Sequence, residues 1–516
     1  MKLGDLCDGA GIFCPTEYEN LEIGGISSDS RERTENGLFV CLRGGKSDGH
    51  AHIGEAIQNG AIAVLTDADA SVDLTSGIIH LQSRNPRASL AYLFDAWYGY
   101  PSQRLSIIGV TGTNGKTSVS HMLRTVLENS LCTCGVIGTV GSEGNGGTYT
   151  HATEQGVANL TTPDPKDLYR ILAQMADDGV EYVVMEASSH ALELEKLAPI
   201  RFRAAIFTNL TPEHLDFHKT MEAYAQAKAK LFSKAALSVL CADSPYCNQM
   251  LAAAAGRHIT CGVSQDADYQ ATDVELDGQD GVLYRLSSGR TRLRLSCPIA
   301  GEFTVMNSML AAVCALELGC SPAAVKTALA TMGGVKGRME RVKLGIGAEF
   351  AVIIDYAHTP DALEKLLLTA RRLLQREGRL VLLFGCGGDR DRTKRAVMGR
   401  IASELADLVI VTSDNSRGED PMHIIREILS GVAKKEAVRV IPDRAEAIRY
   451  AVQQGKRGDL ILLAGKGHEE YEIVGEERRP FHERILVKEA FEARLRAPEG
   501  MGLTEGEQTN EGRDTK

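Results

Sequence analysis

Residues 105–118 read Leu-Ser-Ile-Ile-Gly-Val-Thr-Gly-Thr-Asn-Gly-Lys-Thr-Ser, and this stretch constrains the fold more than any other. An apolar strand over residues 105–110 has to turn sharply at Gly112 and Gly115 before a helix-compatible segment opens at Lys116 and Thr117. Glycines let successive backbone N–H groups converge, and the helix start adds partial positive charge. A lysine and a hydroxyl at the turn then complete a cradle for a polyphosphate and its Mg²⁺. Lys116 is placed to reach the outer phosphates, and Thr117 to ligate the metal. The usual spacing of such loops asks for a glycine where this chain has Val110. The alternative is a chance Gly-Lys-Thr, but the flanking strand and helix are the context a phosphate loop requires.

At 516 residues the chain exceeds what one core can organise, and its length suggests about three domains. A net charge of -11 argues against a nucleic-acid binder, because affinity for a phosphate backbone comes from clustered Lys and Arg. An anionic substrate must therefore be met locally. The twelve cysteines show no Cys-x-x-Cys pair and no zinc-like spacing; Cys132 and Cys134 come closest, in what reads as a strand. Asp5 and Asp8 interrupt any apolar start, and no apolar run nears the roughly 18 residues that span a bilayer. The expectation is a cytoplasmic protein with free thiols and no membrane partner.

Residues 1–103 mix short strands and helices and close on Tyr98-Gly99-Tyr100-Pro101-Ser102, a plausible linker. From 105 to about 334 strands and helices alternate, which predicts a parallel sheet covered on both faces. Strands are expected over 181–185, 204–207, 238–241 and 259–263, and residues 268–300 read as a small antiparallel insertion. A second α/β series follows to about 495, and residues 499–516 are expected to be disordered. Ligands of open parallel sheets bind beyond the carboxyl ends of the strands. Glu186 with Ser188-Ser189-His190, and Thr208-Asn209 leading to His214, should therefore meet the phosphate loop at one edge. In the second series the strand ends carry Asp355-Tyr356-Ala357-His358, Phe384 to Arg390, Thr412 to Arg417, and Ala464 to Glu469.

Glu186 is either a solvated strand-end carboxylate or an acid reaching Mg²⁺; with the phosphate loop in the same sheet, the metal role is favoured. His214, after a helix start expected at Thr211-Pro212-Glu213, is a second candidate, while His218 reads as a packing residue. Met221, Tyr224, Lys228 and Leu231 share one helical stripe, so Lys228 points inward while Lys230 points elsewhere. An inward lysine snorkels, pairs with an acid, or loses its proton and becomes open to chemical modification. Arg390 and Arg417 suit a carboxylate, and Asp414 with Glu469 suit an amine; together they describe a pocket for a zwitterion, and singly each reads as well as a surface ion pair.

These residues resemble the Mur ligase family of peptidoglycan precursor synthesis over about 20–490, most closely the members acting on UDP-N-acetylmuramoyl-L-alanyl-D-glutamate. The motifs that carry it are Gly112-Thr113-Asn114-Gly115-Lys116-Thr117, Glu186-Ala187-Ser188-Ser189-His190, Thr208-Asn209-Leu210 with His214, Asn307, Asp355 to His358, and Asp414-Asn415-Ser416-Arg417. The family's nucleotide loop similarly lacks the first glycine, which accounts for Val110. The resemblance implies an α/β protein of three domains. A small α/β N-terminal domain (1–103) would bind the UDP substrate, a central parallel-sheet P-loop ATPase domain (104–334) would follow, and a Rossmann-like C-terminal domain (335–498) would take the amino acid.

It also implies an ATP- and Mg²⁺-dependent amide ligase adding meso-diaminopimelate, with L-lysine or ornithine, or a folylpolyglutamate-synthase-like ligase, as alternatives. A monomer without nucleic-acid or membrane partners is expected. ATP would be held by Gly112, Thr113, Asn114, Gly115, Lys116, Thr117, Ser118, Asn307, Asp355 and His358. The UDP-muramoyl dipeptide would be held by Ser28, Ser30, Gly45, Lys46, Ser47, Thr161, Thr162, Ser188 and Lys196, the last standing where the family often has arginine. Diaminopimelate would meet Arg390, Asp414, Asn415, Ser416, Arg417, Gly465 and Glu469, with Ser416 in place of the family's proline. Lys228 aligns with the family's carbamylated lysine, which with Thr117, Glu186 and His214 would ligate Mg²⁺; Lys116, Lys228, Glu186 and His214 would carry the catalysis.

Overall fold

The computed structural model describes residues 1–44, 47–72, 74, 77–149, 160–277, 281–289, 291–374 and 377–496. The expected tail at 499–516 lies outside the described residues. The chain divides into two compact units, residues 1–339 with 359–373, and residues 340–358 with the chain from 374 onward.

The first unit begins with a four-stranded parallel sheet in sequential order, Gly25–Ser27, Gly37–Val40, Ala61–Asp67 and Ile79–Ser83. The carboxyl ends of its first two strands are adjacent and lead to Ser28 and to Arg43. Its second and larger sheet is built on Ser106–Thr111, flanked in parallel by Tyr182–Glu186 and Ala204–Phe207. These strands are almost wholly buried and rich in Val, Ile and Ala, as a sheet covered on both faces requires. Each fully buried Val or Ile contributes roughly 1.5–3 kcal/mol. Helix Lys116–Asn129 presents Val119, Met122, Leu123, Val126 and Leu127 to the core at helical spacing. Helix Pro165–Asp177, with Pro165 at its first position, does the same with Leu168, Ile171, Leu172 and Met175.

The antiparallel segment forms as expected, over Tyr269–Asp277, Gly281–Ser287 and Arg292–Cys297. It is no separate insertion, however. Tyr269 and Gln270 pair in parallel with Cys261 and Gly262, so the hairpins extend the large sheet and give their unpaired edge a partner.

The second unit carries a six-stranded sheet whose centre, Ala351–Asp355, Leu460–Ala464, Leu380–Phe384 and Leu408–Val411, is parallel throughout. The carboxyl ends of these four neighbours face one edge. All twelve cysteines are free thiols, and among the described residues no helix is long and apolar enough to cross a membrane.

Candidate active site

Strand register sets the first cluster. Val110 lies opposite Glu186 and Thr111 opposite Phe207, so the phosphate loop, Glu186 and Thr208-Asn209 leave the sheet at one level. The loop is held from the Thr208 side: Asn209 accepts from the Asn114 N–H through Oδ1 (3.0 Å), and Thr208 Oγ1 donates to the Asn114 carbonyl (2.6 Å). Both loop glycines are obligatory. Gly112 has φ +149° and Gly115 φ +87°; a Cβ would fall 1.9 Å from Thr208 Oγ1 at the first and 2.6 Å from Asn307 Oδ1 at the second. Asn307, buried on helix Phe303–Glu317, thus backs the turn directly. Thr117 Oγ1 accepts from Arg338 (2.9 Å), a contact no motif marked, and Ser118 is half-buried one residue on.

Two lysines converge here. Lys116 Nζ donates to the carbonyls of Gly112 (2.9 Å) and Thr113 (2.8 Å), and Lys228 Nζ donates to the same Gly112 carbonyl (2.9 Å). Lys228 is 1% exposed, lies 4.6 Å over the Tyr224 ring, and among the described residues has no carboxylate in ion-pair contact. Of the three fates open to an inward lysine, snorkelling and pairing are excluded. Burial, then the neighbouring Lys116, drives its amine well below the usual lysine range. Lys230, on the other face, pairs with Glu193 and Glu195.

Glu186 is 1% exposed, and its two oxygens accept from the N–H and hydroxyl of Thr139 (both 2.9 Å), so it is no solvated strand end. Thr139 follows strand Cys134–Gly138, and its role could be read only from the tertiary pairing of that strand with Tyr182–Glu186. The Glu186 carbonyl accepts from Thr162 Oγ1 (2.7 Å), which also reaches Ser188 Oγ (3.2 Å), and Thr161 Oγ1 meets Thr139 Oγ1 (3.1 Å). Lys196 pairs with Asp164 at 2.7 Å, two residues beyond Thr162. Thr161, Thr162, Ser188 and Glu186 therefore form one network, with Lys196 at its margin.

The helix start expected at 211–213 is displaced. The helix runs Leu215–His218, because Thr211 is tied to the phosphate loop through both its N–H and its carbonyl by Thr113 Oγ1 (3.0 and 3.2 Å). His214 consequently takes a left-handed conformation (φ 55°), with its ring 4.8 Å edge-on from His190. His218 is buried, stacked on Tyr224 and bonded to Ser189 Oγ (2.9 Å), a packing role as its sequence context suggested.

In the small sheet, Ser30 is buried with Oγ donating to Glu55, Ser28 is exposed, and Ser47 Oγ meets His52 Nε2 (3.0 Å). Gly45 and Lys46 lie outside the described residues.

The second unit brings its four strand-end loops together. Asn415 Nδ2 donates to Glu469 Oε2 (2.8 Å), Arg417 donates to the Gly388 carbonyl (2.9 Å), and a Cβ on Gly465 would meet Asp414 Oδ2 at 2.7 Å. Asp355 and His358 close the fourth loop: the Gly465 N–H donates to the Asp355 carbonyl (3.0 Å), and His358 Nδ1 meets the Tyr356 carbonyl (2.7 Å). Ser416 is buried, whereas Arg390 stands exposed on its own loop. Burial pushes Asp414 up, but Lys466 and Arg444 outweigh it and hold the carboxyl below its usual range; burial and Asp414 together raise Glu469. Lys466 belongs to a loop that the sequence marked, yet nothing in its spacing distinguished it from a solvated lysine.

A phosphate loop with a buried acid at its sheet edge, in a chain with a second, Rossmann-like sheet, defines a nucleotide-phosphate-binding α/β enzyme. Three family models match in order: Mur ligase family, catalytic domain (22–93), Mur ligase middle domain (110–315), and Mur ligase, glutamate ligase domain (337–467). A UDP-N-acetylmuramoyl-L-alanyl-D-glutamate–2,6-diaminopimelate ligase of Syntrophomonas wolfei is 40% identical over 504 residues, 96% of this chain and all of that one. The protein of the same name from Clostridioides difficile is 38% identical, covering 95% and 99% of the two chains. A solved structure of that name superposes with a TM-score of 0.65 at 30% identity, over 95% of this chain and 99% of the other. Folylpolyglutamate synthase of Mycobacterium tuberculosis shares the fold, with a TM-score of 0.60 at 18% identity over 74% and 93%. The chain belongs to the Mur ligase family.

Proposed function

We infer that this protein joins meso-diaminopimelate to the D-glutamate γ-carboxylate of UDP-N-acetylmuramoyl-L-alanyl-D-glutamate, with ATP converted to ADP and phosphate. Likeness to ligases of that name at 40% identity over almost the whole chain carries the reading. The reaction lies in peptidoglycan precursor synthesis, and so in cell-wall growth, shape and division. A monomer in the cytoplasm, with its free thiols, is the state we assign.

The chemistry follows from the residues. The γ-carboxylate takes the γ-phosphoryl group of ATP, giving an acyl phosphate; the amine of the amino acid then displaces phosphate and forms the amide. Gly112, Thr113, Asn114, Gly115 and Thr117 wrap the phosphates, and Lys116 neutralises charge that grows during transfer. Within the first unit, Ser118 and Asn307 would add further contacts to the nucleotide. Thr117, Glu186, His214 and the carbamate of Lys228 would hold Mg²⁺, which supplies positive charge against the phosphates. The donor chemistry fits: a hydroxyl from Thr117, a carboxylate from Glu186 and a carbamate oxygen on Lys228, with substrate phosphates, make the mainly oxygen set that Mg²⁺ takes. A buried amine far below its usual pKa and without a carboxylate partner is the form that adds CO₂.

Ser28, Ser30, Gly45, Lys46 and Ser47 take the uridine end, and Thr161, Thr162, Ser188 and Lys196 the muramoyl dipeptide. Asp414 and Glu469 receive the ammonium of the amino acid, Arg417 and Arg390 its carboxylate, and Asn415, Ser416 and Gly465 shape the pocket. Arginine in the Asp414-Asn415-Ser416-Arg417 loop favours diaminopimelate over L-lysine or ornithine, which lack the distal carboxylate. The folylpolyglutamate reading has no use for that loop.

Phosphate release is expected only when ATP, the UDP-muramoyl dipeptide and an amino acid are all present, with diaminopimelate preferred to lysine and ornithine. Arg417→Ala should raise KM for diaminopimelate about tenfold to a hundredfold, the value of a charged hydrogen bond. If it leaves diaminopimelate use untouched, the pocket is wrongly assigned.

A further inference from the structure

Lys466 sits in the middle of the second unit's cluster, and its side chain is 0% exposed. Its ammonium donates to Asn415 Oδ1 (2.9 Å) and to the Tyr471 carbonyl (2.9 Å), and lies 3.6 Å from Asp414 Oδ1 and 3.8 Å from Glu469 Oε2. The Asn415 amide is thereby fully specified. Its oxygen accepts from Lys466 and from the Ile473 N–H (3.0 Å), so its NH₂ must face Glu469, where Nδ2 donates at 2.8 Å. One buried cation thus touches three of the residues that line the amino-acid pocket.

We propose that Lys466 is a positioning residue for the incoming amino acid: its ammonium locks the Asn415 amide and balances Asp414 and Glu469, so that the two carboxylates together offer one net negative charge to the substrate's ammonium group. This deepens the reading above and rests on its amino-acid pocket.

Two carboxylates buried in one cluster cannot both ionise without compensation. The other charged groups facing them are Arg444, itself paired with Glu483 (2.8 Å), and Arg417 and His358, with Arg478 reaching the cluster through Tyr471. Arg444 is committed to Glu483 and to the carbonyls of Ser413 and Ala464. Arg417 is committed to the carbonyls of Gly388 and Asn415. Lys466 is the cation within 4 Å of both carboxylates. Without it the pair retains a shared proton to higher pH, and the Asn415 amide loses one of the two donors that orient it.

The test uses the full-length enzyme with ATP, the UDP-muramoyl dipeptide and diaminopimelate. Lys466→Met keeps the side chain's bulk and removes its charge. KM for diaminopimelate should rise about tenfold or more, while KM for ATP and for the UDP-muramoyl dipeptide stays at the wild-type value. The pH profile of kcat/KM for the amino acid should move to higher pH, because the carboxylates then ionise later; a purely structural lysine would not move it. An unchanged KM with an unmoved profile overturns the proposal.

Should Lys466→Met fail to give a cooperative melt, Asn415→Ser decides, since it breaks the link to Glu469 and leaves the cation in place. KM for the amino acid should then rise, with the pH profile moving to higher pH by less than loss of the cation would move it, because the Asn415 amide also holds Glu469 down; an unchanged KM is again fatal. A wild-type enzyme inactive with diaminopimelate but active with another amino acid would instead overturn the substrate assignment, and the two failures are thereby separated.

Discussion

Lys228 and Lys116 aim their amines at one carbonyl, that of Gly112. Two positive charges at one carbonyl in a buried site repel, and burial, then the Lys116 charge, hold the Lys228 amine well below the usual lysine range. Lys228→Ala is expected to lower kcat by about two to three orders of magnitude, as loss of an electrostatic group at a reacting phosphate does. On the proposal that Lys228 is carbamylated, short carboxylates such as acetate or formate should take the carbamate's place and restore part of the rate. A variant that loses nothing, or one that no carboxylate rescues, would retire the carbamate. The inward placement of Lys228 could be read from helical spacing alone, since Tyr224 and Leu231 share its stripe and are buried with it. Its partner could not, because Gly112 is 116 residues away and the meeting depends on the packing of helix Met221–Ala229 below the loop.

At the scale of elements, two buried polar arrangements hold the sites in place. In the second unit Arg444, at the start of helix Arg444–Gln454, pairs with Glu483 at 2.8 Å and bonds the carbonyls of Ser413 and Ala464, the residues directly before Asp414 and Gly465. Arg444→Met strands the Glu483 carboxylate in the core and is expected to lower stability by about 3–5 kcal/mol. Adding Glu483→Leu should recover most of it in denaturant unfolding, and failure to recover would show that the carbonyl contacts matter more than the pair.

In the first unit, burial drives His190 and His218 each down to about 4. Below the ordinary histidine pKa of about 6.5 the unfolded chain binds protons that the folded chain refuses, so stability is present above that pH and declines as pH falls toward 4. His218→Gln should flatten that decline in thermal melts between about pH 6.5 and 4. An equal slope in both proteins would exclude His218 as its source. The helix boundary expected near residue 211 failed for a related reason: Pro212 after a threonine is a local start signal, but Thr113 claims the Thr211 backbone from across the fold.

Across the whole molecule, metal and fold separate cleanly. On the proposed site, Mg²⁺ bound through Thr117, Glu186, His214 and carbamylated Lys228 serves turnover, while stability comes from the apolar cores. Chelation with EDTA is expected to stop phosphate release, and excess Mg²⁺ to restore it, with the melting temperature unmoved. A lower melting temperature on chelation would instead give the metal a structural role.

What the sequence determined by itself is local in its physics. Alternating apolar strands and helices set the α/β class, glycines and a lysine at one turn set the phosphate loop, and polar residues after each strand marked the edges that matter. Only the tertiary structure decided which distant groups complete those edges. Thr139 on Glu186, Arg338 on Thr117 and Lys466 between Asp414 and Glu469 are invisible to spacing, because a hydrogen bond or a compensating charge depends on distance in space and carries no period along the chain.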